Sequence, residues 1–171
     1  SCTVKAYLAL KLVGDDPNAA HMKNARDAVI AHGGAARSNV FTRTSLALFG
    51  AVPWRAVPSM PVEIMYLPRW FPFHLSKISY WSRTTLVPLL ILMTLRPRAK
   101  NPRGVHIREL FVTPAEEERR YFQVQSRMGK MFLGIDRLLK GYEAVMPMGL
   151  RRRGIDVALA WCMTRLNGED G

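Results

Sequence analysis

Prolines at positions 53, 58, 61, 68 and 72 constrain this chain more than any other feature. Each lacks a backbone donor and biases its predecessor toward extended geometry, so neither a long helix nor a central strand can run through the stretch. Trp54, Tyr66, Trp70, Phe71 and Phe73 are interleaved with these prolines. Residues 51–74 therefore read as an ordered, aromatic-rich connection holding one short helix at 62–67. What flanks it must supply the regular structure.

The flanks are helical throughout, and no strand alternation appears. Val4, Tyr7, Leu8 and Leu12 repeat at helical spacing over 3–13, and Gly14 offers a left-handed stop. Asp16 and Pro17 open a second helix that closes at His32-Gly33-Gly34. A third begins at Ser38 or Asn39 and stops at Gly50. After the proline-rich stretch, a fourth covers 75–95, with Pro88 expected to kink it. Thr113, Pro114 and Glu116 form a helix start, and the apolar spacing from Phe122 to Tyr142 extends that helix, either unbroken or interrupted near Gly129, until Pro147 and Gly149. The last covers 150–165, with Ile155, Leu159 and Cys162 or Met163 facing inward. The class is all-α: antiparallel helices with one long connection, in a single incomplete domain spanning 1–171.

Apolar residues make up 49% and charged residues 22%, which excludes disorder as the main state. The excess of 25 Lys and Arg over 13 Asp and Glu suits nucleic acid or an anionic membrane face. Position favours the membrane. Arg83, Arg96, Arg98, Lys100 and Arg103 border the apolar run 86–95, without the stacking pattern of a nucleic-acid binder. That run is too short to span a bilayer, which takes about 20 residues. Besides the net charge, Arg151-Arg152-Arg153 favours nucleic acid, but no recognition helix accompanies it. Cys2 and Cys162 are far apart in apolar helices and read as reduced thiols.

Metal and catalytic signatures are missing. The four histidines lack ligand spacing, Asp15-Asp16 reads as a turn, and Glu116, Glu117 and Glu118 suit a helix N-terminus. Aromatics remain. Phe41, Tyr80 and Trp81 are either core or the walls of a cavity whose ring faces attract a cation without attacking it.

Several segments decide between these. Ser38-Asn39-Val40-Phe41-Thr42-Arg43, Phe49-Gly50-Ala51-Val52-Pro53-Trp54, Met60-Pro61-Val62-Glu63-Ile64-Met65, Ser79-Tyr80-Trp81-Ser82-Arg83-Thr84 and Arg108-Glu109-Leu110-Phe111 resemble, in order and spacing, bacterial squalene–hopene cyclases. The resemblance covers most of the chain. It implies a place in the smaller of that family's two α/α barrels, squalene as substrate, no diffusible cofactor and no metal. It also implies monotopic contact with one leaflet at the cytoplasmic face of a bacterial membrane, and it allows a homodimeric parent. By position, Phe41 and Trp81 would line the cavity, while Ile78 and Leu86 would line the apolar channel, Ile78 replacing an aromatic. Asn39 and Ser45 depart from the family pattern and receive no role.

The family's catalytic acid lies in an Asp-x-Asp-Asp motif that this sequence lacks, so no catalytic residue is assigned. The opening Ser1-Cys2-Thr3 and the closing Glu169-Asp170-Gly171 read as the ends of a piece. The expectation is an inactive fragment of an active cyclase. A peripheral membrane-binding module without chemistry is the alternative.

Overall fold

A computed structural model describes residues 1–72, 74–119, 121–122 and 126–166. Among them every regular element is helical, and the chain forms two compact units. The first comprises Ser1–Pro58 and Pro97–Lys130, the second Ser59–Arg96 and Met131–Gly171.

In the first unit, α1 spans Cys2–Val13 and buries Val4, Tyr7 and Leu8, three positions that share one helical face. Gly14 ends it in the left-handed region at φ 111°, its N–H reaching the Leu10 carbonyl at 3.1 Å. α2, Ala20–Ala31, starts later than expected. Asp16 instead closes a turn, its carboxylate accepting from the Asn18 amide at 2.8 Å. α3, Val40–Leu48, is capped by Asn39, whose Oδ1 accepts from the Thr42 amide at 2.9 Å. α1 packs on both α2 and α3.

Residues 97–119 lie along these helices. Gly34, at φ 81°, brings its backbone so close to the Leu110 carbonyl that an added Cβ would sit 3.1 Å from that oxygen. The helix expected from Thr113 is a turn, with the Glu117 and Glu118 amides both on the Pro114 carbonyl at 2.9 Å. Tertiary contacts override the local signal. Arg43 is buried on α3 and donates to the Tyr121 carbonyl at 2.5 Å, taking an acceptor that a continuous helix would need for itself. Tyr121 is buried too, its hydroxyl donating to the Ala115 carbonyl at 2.5 Å.

The helical signal resumes at α5, Arg127–Val145, which crosses from the first unit into the second. The expected helix residues 120 and 123–125, like Phe73 and the tail 167–171, lie outside the described residues.

The second unit begins with the short helix expected between the prolines, a 3-10 turn at Val62–Tyr66. The helix expected over 75–95 is divided: a 3-10 turn at Leu75–Lys77, then α4 at Tyr80–Leu95 with Pro88 in its interior. Ser79 makes the division, because its Oγ caps the new helix by accepting from the Ser82 amide at 3.3 Å. α6, Met148–Met163, packs against α4 and the 62–66 turn.

The core here is Val62, Val87, Leu90 and Ala158, with Ile155, Trp161 and Cys162 against it. Of the residues expected to face inward, Ile155 and Cys162 do so, whereas Leu159, and Met163 as the alternative to Cys162, are exposed. Gly154 and Ala158 take the inner line instead, because α6 approaches Val62 closely enough that a Cβ on Gly154 would lie 2.8 Å from Val62 Cγ1. Only the smallest side chains fit that face.

Candidate hydrocarbon-facing site

The aromatic and apolar residues singled out from the sequence occur in both units. In the first, the Asn39 cap sets the start of α3 and leaves Phe41 half out of the fold, 51% exposed, while Thr42, Arg43 and Leu46 turn inward. In the second, Ile78 is half-buried in the extended link before α4. Trp81 stands in the first turn of α4, 79% exposed, edge-to-face with Tyr80 at 5.7 Å between ring centroids. Thr84 ties the backbone beneath it, its hydroxyl donating to the Trp81 carbonyl at 2.7 Å. Leu86 is half-buried one residue before the fully buried Val87.

Trp81, Tyr80 and Phe41 thus present ring surface that is not consumed by packing among the described residues. Such faces hold electron-deficient carbon by their quadrupole and offer no lone pair to trap it. Two cavities, of about 300 and 440 Å³, lie in the first unit; neither is lined by Phe41.

The carboxylates engaged in the fold serve as anchors. Glu109 accepts from the Tyr7 hydroxyl at 3.0 Å and pairs with Lys11, which also reaches the His106 carbonyl at 2.8 Å. Burial acts to raise the Glu109 pKa, but hydrogen bonds from Lys11, its own backbone and Tyr7, with the Lys11 charge, hold it below the ordinary value. A carboxyl held ionised in this way is a poor proton donor. Tyr7 is pushed up to about 12, first by burial and then by its bond to Glu109.

The bordering cations are partly committed to structure. Arg103 donates to the Leu12 and Val13 carbonyls at 3.2 and 3.0 Å, closing the C-terminus of α1. Arg96 pairs with Glu143 at 2.6 Å. Arg151, read first as part of a basic run, donates to the Glu143 carbonyl at 2.5 Å and faces Glu63 at 3.7 Å. These anchors lacked a sequence signal, since the partners are remote in the chain except for Arg151 and the Glu143 carbonyl, eight residues apart. Arg43 stood inside a recognised segment, but nothing local marks it as buried.

No group of His, Cys, Asp or Glu among the described residues could hold a metal ion. No described helix is long and apolar enough to cross a membrane.

Comparison with known proteins supplies the context for this geometry. The family model for the squalene-hopene cyclase N-terminal domain matches residues 1–171. The chain is 52% identical to the squalene–hopene cyclase of Bradyrhizobium diazoefficiens over its whole length, covering 26% of that protein. It is 48% identical to the enzyme of Zymomonas mobilis, again covering 26%. The squalene–hopene cyclase of Alicyclobacillus acidocaldarius is 35% identical over 98% of the chain and 26% of its own length. The chain therefore spans about a quarter of the length of these relatives. With a family match from first residue to last and identities near one half, the chain belongs to the squalene–hopene cyclases.

Proposed function

We propose that the protein carrying this chain cyclises squalene to hopene-type pentacyclic triterpenes, and that residues 1–171 supply part of its cavity wall and entry route. The family match over the whole chain carries the reading. In this reaction a proton adds to a terminal alkene carbon, successive alkene π pairs close rings onto the resulting cation, and a final proton is lost. Walls for such a cascade must be apolar, rigid and rich in π surface. Phe41 and Trp81 provide ring faces at capped helix starts, where the backbone is held. Ile78 and Leu86, half-buried beside α4, provide the apolar route for the hydrocarbon. The proton comes from elsewhere, because no Asp-x-Asp-Asp occurs in these residues. Alone, residues 1–171 are inactive.

The test compares the purified full-length protein with residues 1–171, each incubated with squalene and analysed by gas chromatography. Triterpene from the full-length protein only is expected. Product from residues 1–171 would overturn the placement of the acid, and none from either would overturn the cyclase reading.

Squalene dissolves in membranes, which supports work at a bilayer surface; contact with one leaflet, at the cytoplasmic face, is what the family resemblance implies. The exposure of Trp81 and Leu95 on α4 supports this contact. Because Arg96 and Arg103 are committed to Glu143 and to the end of α1, insertion of apolar side chains contributes more than charge. Vesicle co-sedimentation should then depend weakly on anionic lipid. Binding to anionic vesicles alone would overturn that account.

A further inference from the structure

The first segment of the second unit, Ser59–Arg96, has both its ends tied to one side chain. Ser59 Oγ donates to Glu143 Oε1, and Arg96 Nη2 donates to Glu143 Oε2 at 2.6 Å. The Ser59 amide donates to Asp136 Oδ1 at 2.6 Å, and Asp136 lies on the same face of α5 as Glu143. The Glu143 side chain is only 9% exposed, so both oxygens are spent on these two partners in a poorly hydrated place. Its backbone carbonyl takes the Arg151 guanidinium, which brings in α6. A single carboxylate thus closes the loop formed by residues 59–96.

That loop contains α4 and the link before it, hence Ile78, Trp81 and Leu86. Arg96 is the residue on which α4 ends, and its backbone is left-handed at φ 47°. A helix transmits position along its axis, and Trp81 lies about 20 Å from Arg96 at roughly 1.5 Å per residue. Fixing the C-terminal end therefore fixes where the first turn presents its indole. We infer that Glu143 is a positioning residue: it staples the ends of residues 59–96 and so sets the placement of Trp81 and Leu86. The consequence for products rests on the cyclase reading; the staple itself does not.

The experiment uses the full-length protein, with Glu143→Ala and Glu143→Gln read by amide hydrogen exchange and by squalene products. Glu143→Ala should speed exchange at least tenfold near residues 59–62 and 93–97. It should lower kcat several-fold with KM little changed, and raise the share of incompletely cyclised products. Glu143→Gln keeps an acceptor for Ser59 but loses the charge facing Arg96, and should fall between. If Glu143→Ala does not accumulate, Arg96→Gln removes one arm and gives the same readouts. Unchanged exchange would overturn the staple. Faster exchange with wild-type kcat and products would overturn the positioning role. If the wild-type protein makes no triterpene, the cyclase reading fails while exchange still decides the staple.

Discussion

Arg96 closes α4 in a left-handed conformation, φ 47°, and from there its guanidinium meets the Glu143 carboxylate at 2.6 Å. It is the one non-glycine residue with positive φ among the described residues. An L-residue in this region is disfavoured by roughly 1–2 kcal/mol, so the ion pair and the backbone strain oppose each other at one position. Arg96→Gly removes both, while Arg96→Ala removes the pair and keeps the strain. Arg96→Ala should therefore be the less stable of the two by about 1 kcal/mol in urea denaturation. Equal stability would show that the turn relaxes when the pair is lost.

Gly154 gives a prediction of opposite local and tertiary sign. Alanine is favoured over glycine inside a helix by roughly 1 kcal/mol. Here its Cβ would meet Val62 Cγ1 at 2.8 Å, and Val62 is fully buried and stiff at χ1. Overpacking of this kind costs about 1–3 kcal/mol, so Gly154→Ala should destabilise on balance. Adding Val62→Ala should recover part of the loss, a coupling that a double-mutant cycle reads directly.

The Tyr7–Glu109 pair predicts stability loss at both pH extremes. Tyr7 has a folded pKa raised to about 12, so the fold favours the protonated phenol. The associated stability is complete below its ordinary value near 10 and disappears as pH climbs toward 12. Tyr7→Phe should flatten the stability profile in that alkaline window by on the order of 2 kcal/mol. Glu109 is lowered, so its contribution is present above its ordinary value and is lost as pH falls through the folded pKa. Glu109→Gln should weaken the acid dependence and lower stability at neutral pH. Chemical denaturation at a series of pH values measures both.

Trp81→Ala separates function from folding. The indole is largely exposed here, so the substitution should change the stability of residues 1–171 by no more than about 0.5 kcal/mol. In the full-length protein it should cut cyclisation or release prematurely terminated products. An unchanged rate and product profile would remove Trp81 from the site.

Arg43→Lys tests the buried cation. Lysine keeps the charge but cannot both donate to the Tyr121 carbonyl and place a guanidinium over the Phe122 ring, whose centroid is 4.7 Å from Arg43 Cζ. A loss of about 2 kcal/mol is expected, read by thermal denaturation.

Local chemistry was legible at several points where a residue and its partner lie within one helical turn. The caps at Asn39 and Gly14 and the short helix between the prolines follow from side chains beside the backbone groups they satisfy. Family membership was legible too, because long ordered segments carry it. Phe41, Trp81, Ile78 and Leu86 remain assignments by resemblance, since their proposed ligand is a hydrocarbon that leaves no polar signature in sequence or geometry.

By itself, then, the amino-acid order determined that the chain is helical, where most helices stop, and which family it joins, since those depend on neighbours a few residues apart. Tertiary structure alone decided that Thr113 and Pro114 start a turn, that α6 turns Gly154 inward, and that Glu143 gathers Ser59 and Arg96. Those partners lie 84 and 47 residues from Glu143. Burying a polar group is costly unless it is paired, yet nothing in its immediate sequence says which distant donor will reach it.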